Sequence, residues 1–444
     1  MEINPTIFKS YDIRGIYPSQ LNEKIAYRIG QVFIEHTKAK RVAIGRDCRL
    51  SSPSLFKALS KGIIDRGADV YNIGEVPTEC LYFTVGNYDY DGGIMITASH
   101  NPKEYNGFKM VKKKVGVIRG EEIGRIFEKA DFSEVKRTGK IKNIDIWQDW
   151  LNHIFSFVDI NKIKPLKVAV DASNGMAGKT ISRISPKIPI ELIPLNFNLD
   201  GNFPAHAPNP LLEESSLQIK KEIKTKKADL GFIFDGDADR IFLLDEKGRF
   251  IKGDVTLLLL SKYFLEKIPG AGIVYNVICS KAVPEFIKKW NGRPIQSPVG
   301  FINIKENMIK NRGIMGGELA GHYSFKGNFY SDSGFIAFLI LLEIISASRK
   351  KVSAQISGLS PYAKTSEINF EIKEKEKILN KIKKLYSDGK QNYLDGITVE
   401  YDNWWFNVRP SNTEPLIRLT IEANTKELLE EKKKELIALI KKEK

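Results

Sequence analysis

The chain has 444 residues, of which 42% are hydrophobic and 28% are charged, and its formal net charge is +15. This length predicts several domains, and the composition is that of an ordinary globular protein rather than a fibrous or membrane protein. The longest apolar run, from Gly334 to Ala347, is too short to cross a bilayer and predicts a buried helix. With no secretory pattern at the N-terminus, we expect a cytoplasmic protein without a membrane partner.

The positive charge and the cysteines bear on possible partners. Apolar residues in the lysine-rich tail recur at helical spacing, which predicts that the lysines lie on the outer face of a terminal helix. These apolar residues are Leu428, Leu429, Leu436, Ile437 and Ile440. Because no nucleic-acid-binding signature accompanies the charge, we expect no nucleic-acid partner. The three cysteines are scattered and odd in number, which favours a reducing compartment over a disulfide framework or zinc site.

Short β-rich runs alternate with helical segments over the first three-quarters of the chain. Strands are predicted over residues 41–47, 69–73 and 92–97, with a helix from about Ser52 to Gly67. The order strand, helix, strand predicts βαβ units and a mixed or mostly parallel sheet. The third strand runs directly into Thr97-Ala98-Ser99-His100-Asn101-Pro102.

The pattern then restarts twice and changes character near the end. Strands are predicted over residues 167–171 and 229–234, and in a further block over 272–277 and 313–318. The last part combines strand-like runs at 368–372, 397–401, 404–408 and 417–422 with two helices, which is an α+β arrangement. We therefore predict four domains, over residues 1–145, 146–252, 253–362 and 363–444.

Four loops that follow predicted strands carry reactive side chains, and in open α/β sheets ligands bind at the carboxyl ends of strands. In the first loop, Ser99 follows an apolar strand and precedes His100 and Pro102, which predicts an exposed serine at the sheet edge. A lone serine there is more often a helix cap or a turn residue. Activation of a serine nucleophile by His100 has little support, because no Gly-x-Ser-x-Gly elbow surrounds Ser99.

The second loop carries three aspartates, Asp235, Asp237 and Asp239. In a straight strand they share one face, but the outer two lie roughly 13 Å apart at the usual rise per residue. To bind one ion the segment must curl, which Gly236 and Ala238 permit. Hard carboxylate oxygens suit Mg²⁺, which completes its octahedron with phosphate or water.

This loop has three other interpretations, a solvated acidic turn, a calcium site and a phosphatase site. A solvated turn leaves Arg240 and the three aligned carboxylates as a coincidence. A calcium-binding EF-hand has glycine at the sixth position and flanking helices, whereas here Arg240 occupies that position and the flanks predict strands. A phosphatase of the haloacid-dehalogenase type uses an Asp-x-Asp pair after an apolar strand, and Asp235 with Asp237 fits that pattern. That type has threonine or valine where this chain has Asp239. Metal binding is therefore the favoured interpretation.

The third and fourth loops are typical of sugar and phosphate sites. In Gly316-Gly317-Glu318-Leu319-Ala320-Gly321-His322, glycines allow close approach of a ligand, and the Glu318 carboxylate can accept hydrogen bonds from two sugar hydroxyls. In Arg409-Pro410-Ser411-Asn412-Thr413-Glu414-Pro415, a guanidinium, two hydroxyls and an amide can cradle a phosphate. The alternative for the Glu318 loop is a glycine-rich turn with a solvated glutamate. Taken alone, the Arg409 loop is equally compatible with a turn bounded by prolines.

Together and in this order, the four loops resemble the α-D-phosphohexomutase superfamily, most closely its phosphomannomutase/phosphoglucomutase branch. The resemblance extends from Lys9-Ser10-Tyr11-Asp12-Ile13-Arg14-Gly15 to the loop that begins at Arg409. It implies an α/β fold of four domains around a central cleft, three similar α/β mixed-sheet domains and a smaller C-terminal α+β domain. It also implies an isomerase, an intramolecular phosphotransferase that interconverts hexose 1-phosphate and hexose 6-phosphate of glucose, mannose or both. A phosphoserine and a hexose 1,6-bisphosphate intermediate belong to that reaction.

The resemblance also implies roles for individual residues. Ser99 is the phosphorylated residue, and it forms the Mg²⁺ site together with Asp235, Asp237 and Asp239. The implied catalytic residues are Ser99, Lys109, Arg14, Arg240 and His100. The implied substrate-binding residues are Tyr11, Glu318, Ala320, His322, Arg409, Ser411, Asn412, Thr413 and Arg418. We expect Lys109, buried between cations, to have a lowered pKa that suits a general acid or base.

The expected cofactors and partners follow from the same resemblance. We expect Mg²⁺, a hexose 1,6-bisphosphate activator and a phosphosugar substrate, with the chain a monomer or homodimer. Departures from the branch affect the choice of sugar, because Leu319 and Ala320 replace methionine and serine, Phe301 stands where histidine is frequent, and Ile278 where lysine is frequent. A phosphoglucosamine mutase and a phosphatase with Asp235 as nucleophile are the alternatives.

Overall fold

The computed structural model describes residues 4–129, 138–348, 350–372, 374–411 and 416–442. The chain forms two compact units, which we call the first unit (residues 1–252 and 320–355) and the second unit (residues 253–319 and 356–444). Within the described ranges, every helix falls short of the length and apolarity that a bilayer span requires.

The first part of the first unit alternates strands and helices as predicted. Its elements are β1 (Ile13–Ile16), α1 (Glu23–Thr37), β2 (Arg41–Arg46), α2 (Ser52–Ile64), β3 (Asp69–Glu75), α3 (Thr78–Asn87), β4 (Gly92–Ile96), β5 (Tyr105–Lys112), β6 (Gly116–Ile118), α4 (Gly120–Phe127) and β7 (Ile141–Asn143). Helix α2 ends three residues earlier than predicted, and Gly67, with φ of +84°, closes the turn that follows it.

The strands of this part form one mixed sheet in the order β1-β5-β4-β2-β3-β7, with β6 paired to β5. Strands β4, β2, β3 and β7 are parallel, whereas β5 is antiparallel to both β4 and β1. Every residue of β4 is buried, as expected for a central strand covered on both faces. Because Arg46 lies opposite Ile96, the loops after β2 and β4 leave the sheet side by side.

The next part of the first unit forms a second, smaller sheet. Its elements are α5 (Trp147–Phe155), β8 (Leu166–Asp171), α6 (Ala177–Ile184), β9 (Ile190–Leu195), α7 (Leu217–Lys226), β10 (Leu230–Phe234) and β11 (Ile241–Leu244). The strand order is β11-β10-β8-β9, in which β8, β9 and β10 are parallel and β11 is antiparallel to β10. The strand after the Asp235 loop is thus one half of an antiparallel pair, so the loop is a hairpin connection.

The second unit begins with alternating helices and strands. These are α8 (Gly253–Lys267), β12 (Gly272–Asn276), α9 (Ala282–Lys289), β13 (Arg293–Ser297), α10 (Phe301–Lys310) and β14 (Gly313–Gly317). Strand β12 pairs in parallel with both β13 and β14. The parallel pairing agrees with the βαβ organisation predicted for this block.

The chain then returns to the first unit with β15 (Tyr323–Phe325), β16 (Ser331–Asp332), α11 (Gly334–Ala347) and α12 (Val352–Gln355). Helix α11 has the bounds of the predicted buried helix, and the Ser333 side chain caps it by accepting a hydrogen bond from the Ile336 N–H. The Phe338 ring packs against Phe232 at 4.9 Å between centroids. The helix therefore belongs to a protein core, as predicted.

The remainder of the second unit has the predicted α+β character. Its elements are β17 (Ala363–Lys364), β18 (Ile368–Glu371), α13 (Lys375–Leu385), β19 (Lys390–Asn392), β20 (Ile397–Glu400), β21 (Trp404–Pro410), β22 (Leu416–Ala423) and α14 (Lys426–Lys441). All the strand pairs here are antiparallel, in the order β17-β22-β21-β20-β19 with β18 beside β22. In α14 the residues Leu429, Leu436 and Ile440 are buried, which confirms the predicted apolar face.

Candidate active site

Ser99 lies in the loop that follows β4, at the carboxyl edge of the first sheet. Its Oγ donates a hydrogen bond to Asp235 Oδ2 at 2.8 Å and lies 3.3 Å from His100 Nδ1. The backbone of Ser99 has φ of +50°, a left-handed conformation that a non-glycine residue rarely adopts and that is frequent at functional sites. The Ser99 N–H donates to Thr97 Oγ1 at 2.9 Å, which helps to hold this turn.

The serine is buried, with 1% of its surface exposed, and the expectation of an exposed serine is wrong. The reason is that the Asp235 loop covers it. A Cβ atom added at Gly236 would lie 2.6 Å from the Ser99 carbonyl oxygen, so only glycine permits this close approach. Gly236 thus allows the loop that carries Ser99 and the loop that carries the aspartates to pack against each other.

The loop from Asp235 to Arg240 joins β10 to β11 and curls as predicted. Ala238 has φ of +62°, and it provides the left-handed residue of the turn. As a result, one carboxylate oxygen from each of Asp235, Asp237 and Asp239 lies within 4.8 Å of the others, and all three residues are buried. The curled arrangement that a single ion requires is present.

The hydrogen bonds of Asp237 leave one of its oxygens open to a cation. Its Oδ2 accepts hydrogen bonds from Lys109 Nζ at 2.7 Å, Thr78 Oγ1 at 2.5 Å and Thr97 Oγ1 at 3.2 Å. Its Oδ1 is buried and has no hydrogen-bond partner among the described residues. A buried carboxylate oxygen without a partner is costly, and a metal ion would satisfy it. The three aspartates therefore fit a metal ion.

Burial and neighbouring charges shift the pKa values of Asp235 and Asp239 in opposite directions. Burial, followed by the charges of Asp237 and Asp239, raises the pKa of Asp235 to about 8. Burial acts in the same direction on Asp239, but Lys109 and His322 outweigh it and hold the pKa of Asp239 well below its ordinary value. The crowding of carboxylates is the physical condition under which a divalent cation binds.

The pKa of Lys109 is shifted in the direction opposite to the expected one. Burial lowers its pKa, but the carboxylates of Asp237 and Asp239 have the larger combined effect, and the pKa of Lys109 is raised above its ordinary value. Lys109 Nζ donates to both carboxylates. The expectation of a lowered pKa is wrong because the side chain lies between two anions rather than between cations.

Two arginines flank the aspartates and the segment of residues 97–105 that carries Ser99, which we call the serine loop. Arg14 Nη1 donates to the Ala98 carbonyl at 3.2 Å and to Asn101 Oδ1 at 2.5 Å, so its side chain lies along the serine loop. The backbone N–H of Arg240 donates to Asp235 Oδ1 at 3.2 Å. The Arg240 Nε atom lies 3.7 Å from Asp235 Oδ2, so this guanidinium group also lies beside the aspartates.

Two histidines, His100 and His322, lie beside the serine, the arginines and the aspartates. Arg240 Nε donates to His322 Nε2 at 3.1 Å, and the same His322 nitrogen lies 3.4 Å from Asp239 Oδ1. Burial, with repulsion from Arg240 and Arg14, lowers the pKa of His100 well below its ordinary value, so the imidazole beside Ser99 Oγ is neutral. The structure thus brings Ser99, His100, Lys109, Arg14, Arg240, His322 and the three aspartates into one group within the first unit.

Other predicted site residues lie in separate places. In the first unit, Tyr11 is half-buried shortly before β1, and Ala320 lies between β14 and β15. In the second unit, Glu318 is buried, and its Oε2 accepts a hydrogen bond from the Gly300 N–H at 3.0 Å.

A second cluster lies in the second unit, on β21 and β22. Arg409 and Arg418 are cross-strand neighbours and share Glu367, at 2.7 Å from Arg409 Nη2 and 3.4 Å from Arg418 Nη1. The Ser411 N–H donates to the Leu416 carbonyl at 2.8 Å, which continues the pairing of the two strands beyond Pro410. The predicted residues Asn412 and Thr413 lie outside the described residues.

Sequence reasoning missed two residues of the first unit that support this group. Thr78, at the start of α3, donates its hydroxyl hydrogen to Asp237 Oδ2, and its backbone N–H donates to the Asp237 carbonyl at 3.1 Å. Arg49 lies in the loop after β2 and bonds to the backbone of the serine loop. The available signal was the position of both residues just after parallel strands, the edge at which ligand sites form.

Comparison with known proteins identifies the family. The models of the three phosphoglucomutase/phosphomannomutase alpha/beta/alpha domains I, II and III match residues 5–134, 148–248 and 252–362, and the model of the C-terminal domain matches residues 367–439. The chain belongs to the phosphoglucomutase/phosphomannomutase family. It is a phosphohexomutase, an isomerase that acts as an intramolecular phosphotransferase. The resemblance and the fold class predicted from the four loops are confirmed.

Individual relatives match over nearly the full length. A phosphomannomutase of Vibrio cholerae is 39% identical over 458 residues, covering 98% of each chain. A phosphomannomutase of Methanocaldococcus jannaschii is 38% identical, again over 98% of each chain. A crystal structure of a phosphoglucomutase/phosphomannomutase family protein from Burkholderia thailandensis superposes with a TM-score of 0.90 at 31% identity, covering 99% of this chain and 98% of that one.

Proposed function

We propose that this phosphohexomutase interconverts hexose 1-phosphates and hexose 6-phosphates of mannose and glucose through a phosphoserine at Ser99. The observation that carries the proposal is the contact of Ser99 Oγ with Asp235 Oδ2 at 2.8 Å, in a strand-end loop set against three buried carboxylates. A hydroxyl in this position is adjacent to a cation site, as phosphoryl transfer requires. The names of the relatives, phosphomannomutase, support mannose phosphate as one substrate.

Magnesium is the metal ion that we propose for the three aspartates. Their ligand atoms are hard carboxylate oxygens, which Mg²⁺ prefers, and a phosphate oxygen on Ser99 would complete the set. When bound, the ion would offset negative charge on the phosphoryl oxygens. The chain's own contribution is to fix the three carboxylates by burial and by the donors on Asp237.

The neighbouring cations would stabilise the charge of the transferring group. Arg14 lies along the serine loop, whereas Lys109 and Arg240 contact the aspartates. Because Lys109 is held in its protonated form, we assign it positive charge and hydrogen-bond donation rather than proton abstraction. The neutral His100, 3.3 Å from Ser99 Oγ, is suited to exchange a proton with that oxygen.

Each half-reaction then moves one phosphoryl group. In the first, the bond between phosphorus and Ser99 Oγ breaks, a bond from phosphorus to the free hydroxyl oxygen of the sugar phosphate forms, and the proton of that hydroxyl is transferred to Ser99 Oγ, giving a hexose 1,6-bisphosphate. In the second, the bond between the other phosphorus and its sugar oxygen breaks, that phosphoryl group is transferred to Ser99 Oγ, and the serine proton is transferred to the sugar oxygen. The chain therefore has to be phosphorylated to begin, and we propose hexose 1,6-bisphosphate as the activator that phosphorylates it.

Substrate recognition is assigned to residues that do not take part in this transfer. Glu318 would accept hydrogen bonds from sugar hydroxyls, because each carboxylate oxygen can accept more than one hydrogen bond. The paired guanidinium groups of Arg409 and Arg418 would bind the phosphate that is not reacting. The further residues proposed for substrate binding are Tyr11, Ala320, His322, Ser411, Asn412 and Thr413.

The arrangement does not favour a phosphatase that uses Asp235 as nucleophile. Both of its carboxylate oxygens accept hydrogen bonds, Oδ2 from Ser99 Oγ and Oδ1 from the Arg240 N–H. These contacts hold Asp235 as the acceptor of the Ser99 hydroxyl hydrogen, which favours the Ser99 oxygen as the nucleophile.

The test combines phosphorylation with turnover. Purified protein is incubated with Mg²⁺ and hexose 1,6-bisphosphate, and intact mass spectrometry followed by peptide mapping should place one phosphoryl group on Ser99. In coupled assays, mannose 1-phosphate and glucose 1-phosphate should both be converted, with glucosamine 1-phosphate as the third substrate compared. Ser99→Ala should lose the phosphoryl group and the activity, whereas Ser54→Ala, in α2 of the same unit, should keep both. Full activity of Ser99→Ala would refute the proposal.

A further inference from the structure

Arg49 is a buried cation that directs four of its five side-chain donors at the backbone of the serine loop. It lies in the loop after β2, and its side chain has no exposed surface. Since β2 and β4 are adjacent parallel strands, this loop runs beside residues 97–102. The ring of Phe203 lies 5.0 Å from the guanidinium carbon and covers one face of the group.

The five N–H groups of the guanidinium all have partners. Nη2 donates to the carbonyl oxygens of Ser99 at 2.9 Å and Asn101 at 2.7 Å. Nη1 donates to the carbonyl oxygens of Pro102 at 2.7 Å and Tyr105 at 3.0 Å. The fifth, on Nε, donates to Asp47 Oδ2 at 3.2 Å. Four backbone carbonyls of one loop thus converge on one side chain.

This convergence explains how the chain keeps Ser99 in its unusual conformation. A residue at φ of +50° persists only where the surroundings fix it, and the Ser99 carbonyl is itself one of the four oxygens held by Arg49. The orientation of that carbonyl determines the peptide plane that follows Ser99, and with it the placement of His100. The Ser99 side chain is built on the same Cα atom, so its Oγ moves when this backbone moves.

We propose that Arg49 is a positioning residue that fixes the backbone of residues 99–105 and so places Ser99 Oγ for phosphoryl transfer. The inference rests on the proposed function of Ser99. Arg49 does not touch the reacting atoms: its contacts are with carbonyl oxygens, Asp47 and Phe203. Its effect is therefore on the rate of transfer and not on the binding of the sugar phosphate.

Substitution of Arg49 by lysine distinguishes the positioning of the backbone by hydrogen bonds from an effect of the positive charge alone. It keeps the positive charge, but its three donors radiate from one nitrogen and cannot reach four carbonyls and a carboxylate arranged around a planar fork. Displacement of a reacting group by about 1 Å is enough to cost on the order of 100-fold in rate. We therefore expect Arg49→Lys to lower kcat about 100-fold with KM changed less than about threefold.

The experiment measures two rates on purified full-length protein. One is the steady-state kcat and KM for mannose 1-phosphate, and the other is the rate at which hexose 1,6-bisphosphate phosphorylates Ser99, followed by intact mass spectrometry. Both the kcat and the phosphorylation rate should fall together in Arg49→Lys. The matched control is Arg46→Lys, three residues earlier, where the guanidinium lies over the Phe56 ring, and both rates should remain within about twofold.

The outcomes distinguish this inference from the proposed function. If Ser99→Ala is inactive but folded Arg49→Lys keeps the wild-type kcat, the inference is wrong and the proposed function stands. If Ser99→Ala keeps full activity, the proposed function is wrong and the inference falls with it. A rise in KM with unchanged kcat in Arg49→Lys also contradicts the positioning role.

If Arg49→Lys does not fold, a second variant, Asp47→Asn, tests the same proposal. Asp47→Asn keeps the acceptor for the Arg49 and Ser52 donors but removes the charge that anchors the guanidinium. The expected result is a kcat about tenfold lower with KM unchanged, because the guanidinium keeps its carbonyl contacts but loses the negative charge of Asp47. A kcat within twofold of wild type would overturn the proposal.

Discussion

The hydroxyl of Thr78 provides a direct way to perturb the aspartate cluster without removing a ligand. It donates to Asp237 Oδ2 at 2.5 Å, and two further donors, Lys109 Nζ and Thr97 Oγ1, contact the same oxygen. Thr78→Val removes this donor at nearly constant volume. The backbone bond from the Thr78 N–H to the Asp237 carbonyl remains, so the loop keeps this contact with α3.

The expected magnitude follows from the number of donors that remain. A hydrogen bond to a charged group contributes about 1.5–3 kcal/mol, and since two donors stay on Oδ2 we expect the lower end of that range. About 1.4 kcal/mol corresponds to a tenfold change in an equilibrium constant. This agrees with the roughly 10–100-fold loss of metal affinity observed when groups that orient metal ligands are removed.

The assay is a Mg²⁺ titration of the initial rate, with calorimetric titration of Mg²⁺ as an independent measure. In Thr78→Val the half-saturating Mg²⁺ concentration should rise about tenfold, and kcat at saturating Mg²⁺ should stay near wild type. Thr78→Ser, which keeps the hydroxyl, should resemble wild type. Thr84→Val is the matched control, because its hydroxyl on the same helix donates only within the helix, to the Cys80 carbonyl. Unchanged Mg²⁺ dependence in Thr78→Val would refute this account of how Asp237 is oriented.

Three further predictions concern stability and substrate binding. Burial raises the pKa of Glu79 to about 8, whereas its ordinary pKa is 4.5, so between these pH values the folded chain keeps a proton that the unfolded chain releases. The free energy of unfolding should therefore fall as the pH rises from 4.5 to 8. In thermal melting, Glu79→Gln should show a smaller fall over the same pH range. Arg409→Lys should raise KM for the sugar phosphate roughly tenfold or more while Ser99 is still phosphorylated, and an unchanged KM would exclude Arg409 from phosphate binding. Phe338→Ala, in α11, should cost about 3–5 kcal/mol in urea unfolding, and a loss under 1 kcal/mol would contradict its core position.

The strands, the buried helix and the order of the loops could be predicted because they depend on local pattern. The apolar run from Gly334 to Ala347 has one possible environment in a globular protein, and the structure buries it there. The curl of the Asp235 loop was predictable for a similar reason, since three alternating carboxylates cannot otherwise meet. The family resemblance rested on these local features, and the comparisons confirm it.

What the sequence could not predict depends on contacts between distant segments. The burial of Ser99 and the raised pKa of Lys109 both result from the Asp235 loop, which lies more than a hundred residues further along the chain. Arg49 and Thr78 were missed because neither stands in a motif of its own. Their importance follows from the partners that the sheet brings beside them, Ser99 and Asp237.

The central claim is that a phosphoryl group passes through Ser99 during each turnover, and a single-turnover experiment tests it most directly. Enzyme carrying a radiolabelled phosphoryl group on Ser99 is mixed with unlabelled mannose 1-phosphate in a rapid-quench apparatus, and protein and sugar phosphates are separated. The label should leave the protein and appear in the sugar phosphates at least as fast as steady-state turnover. Label that stays on Ser99 while product accumulates would contradict the claim.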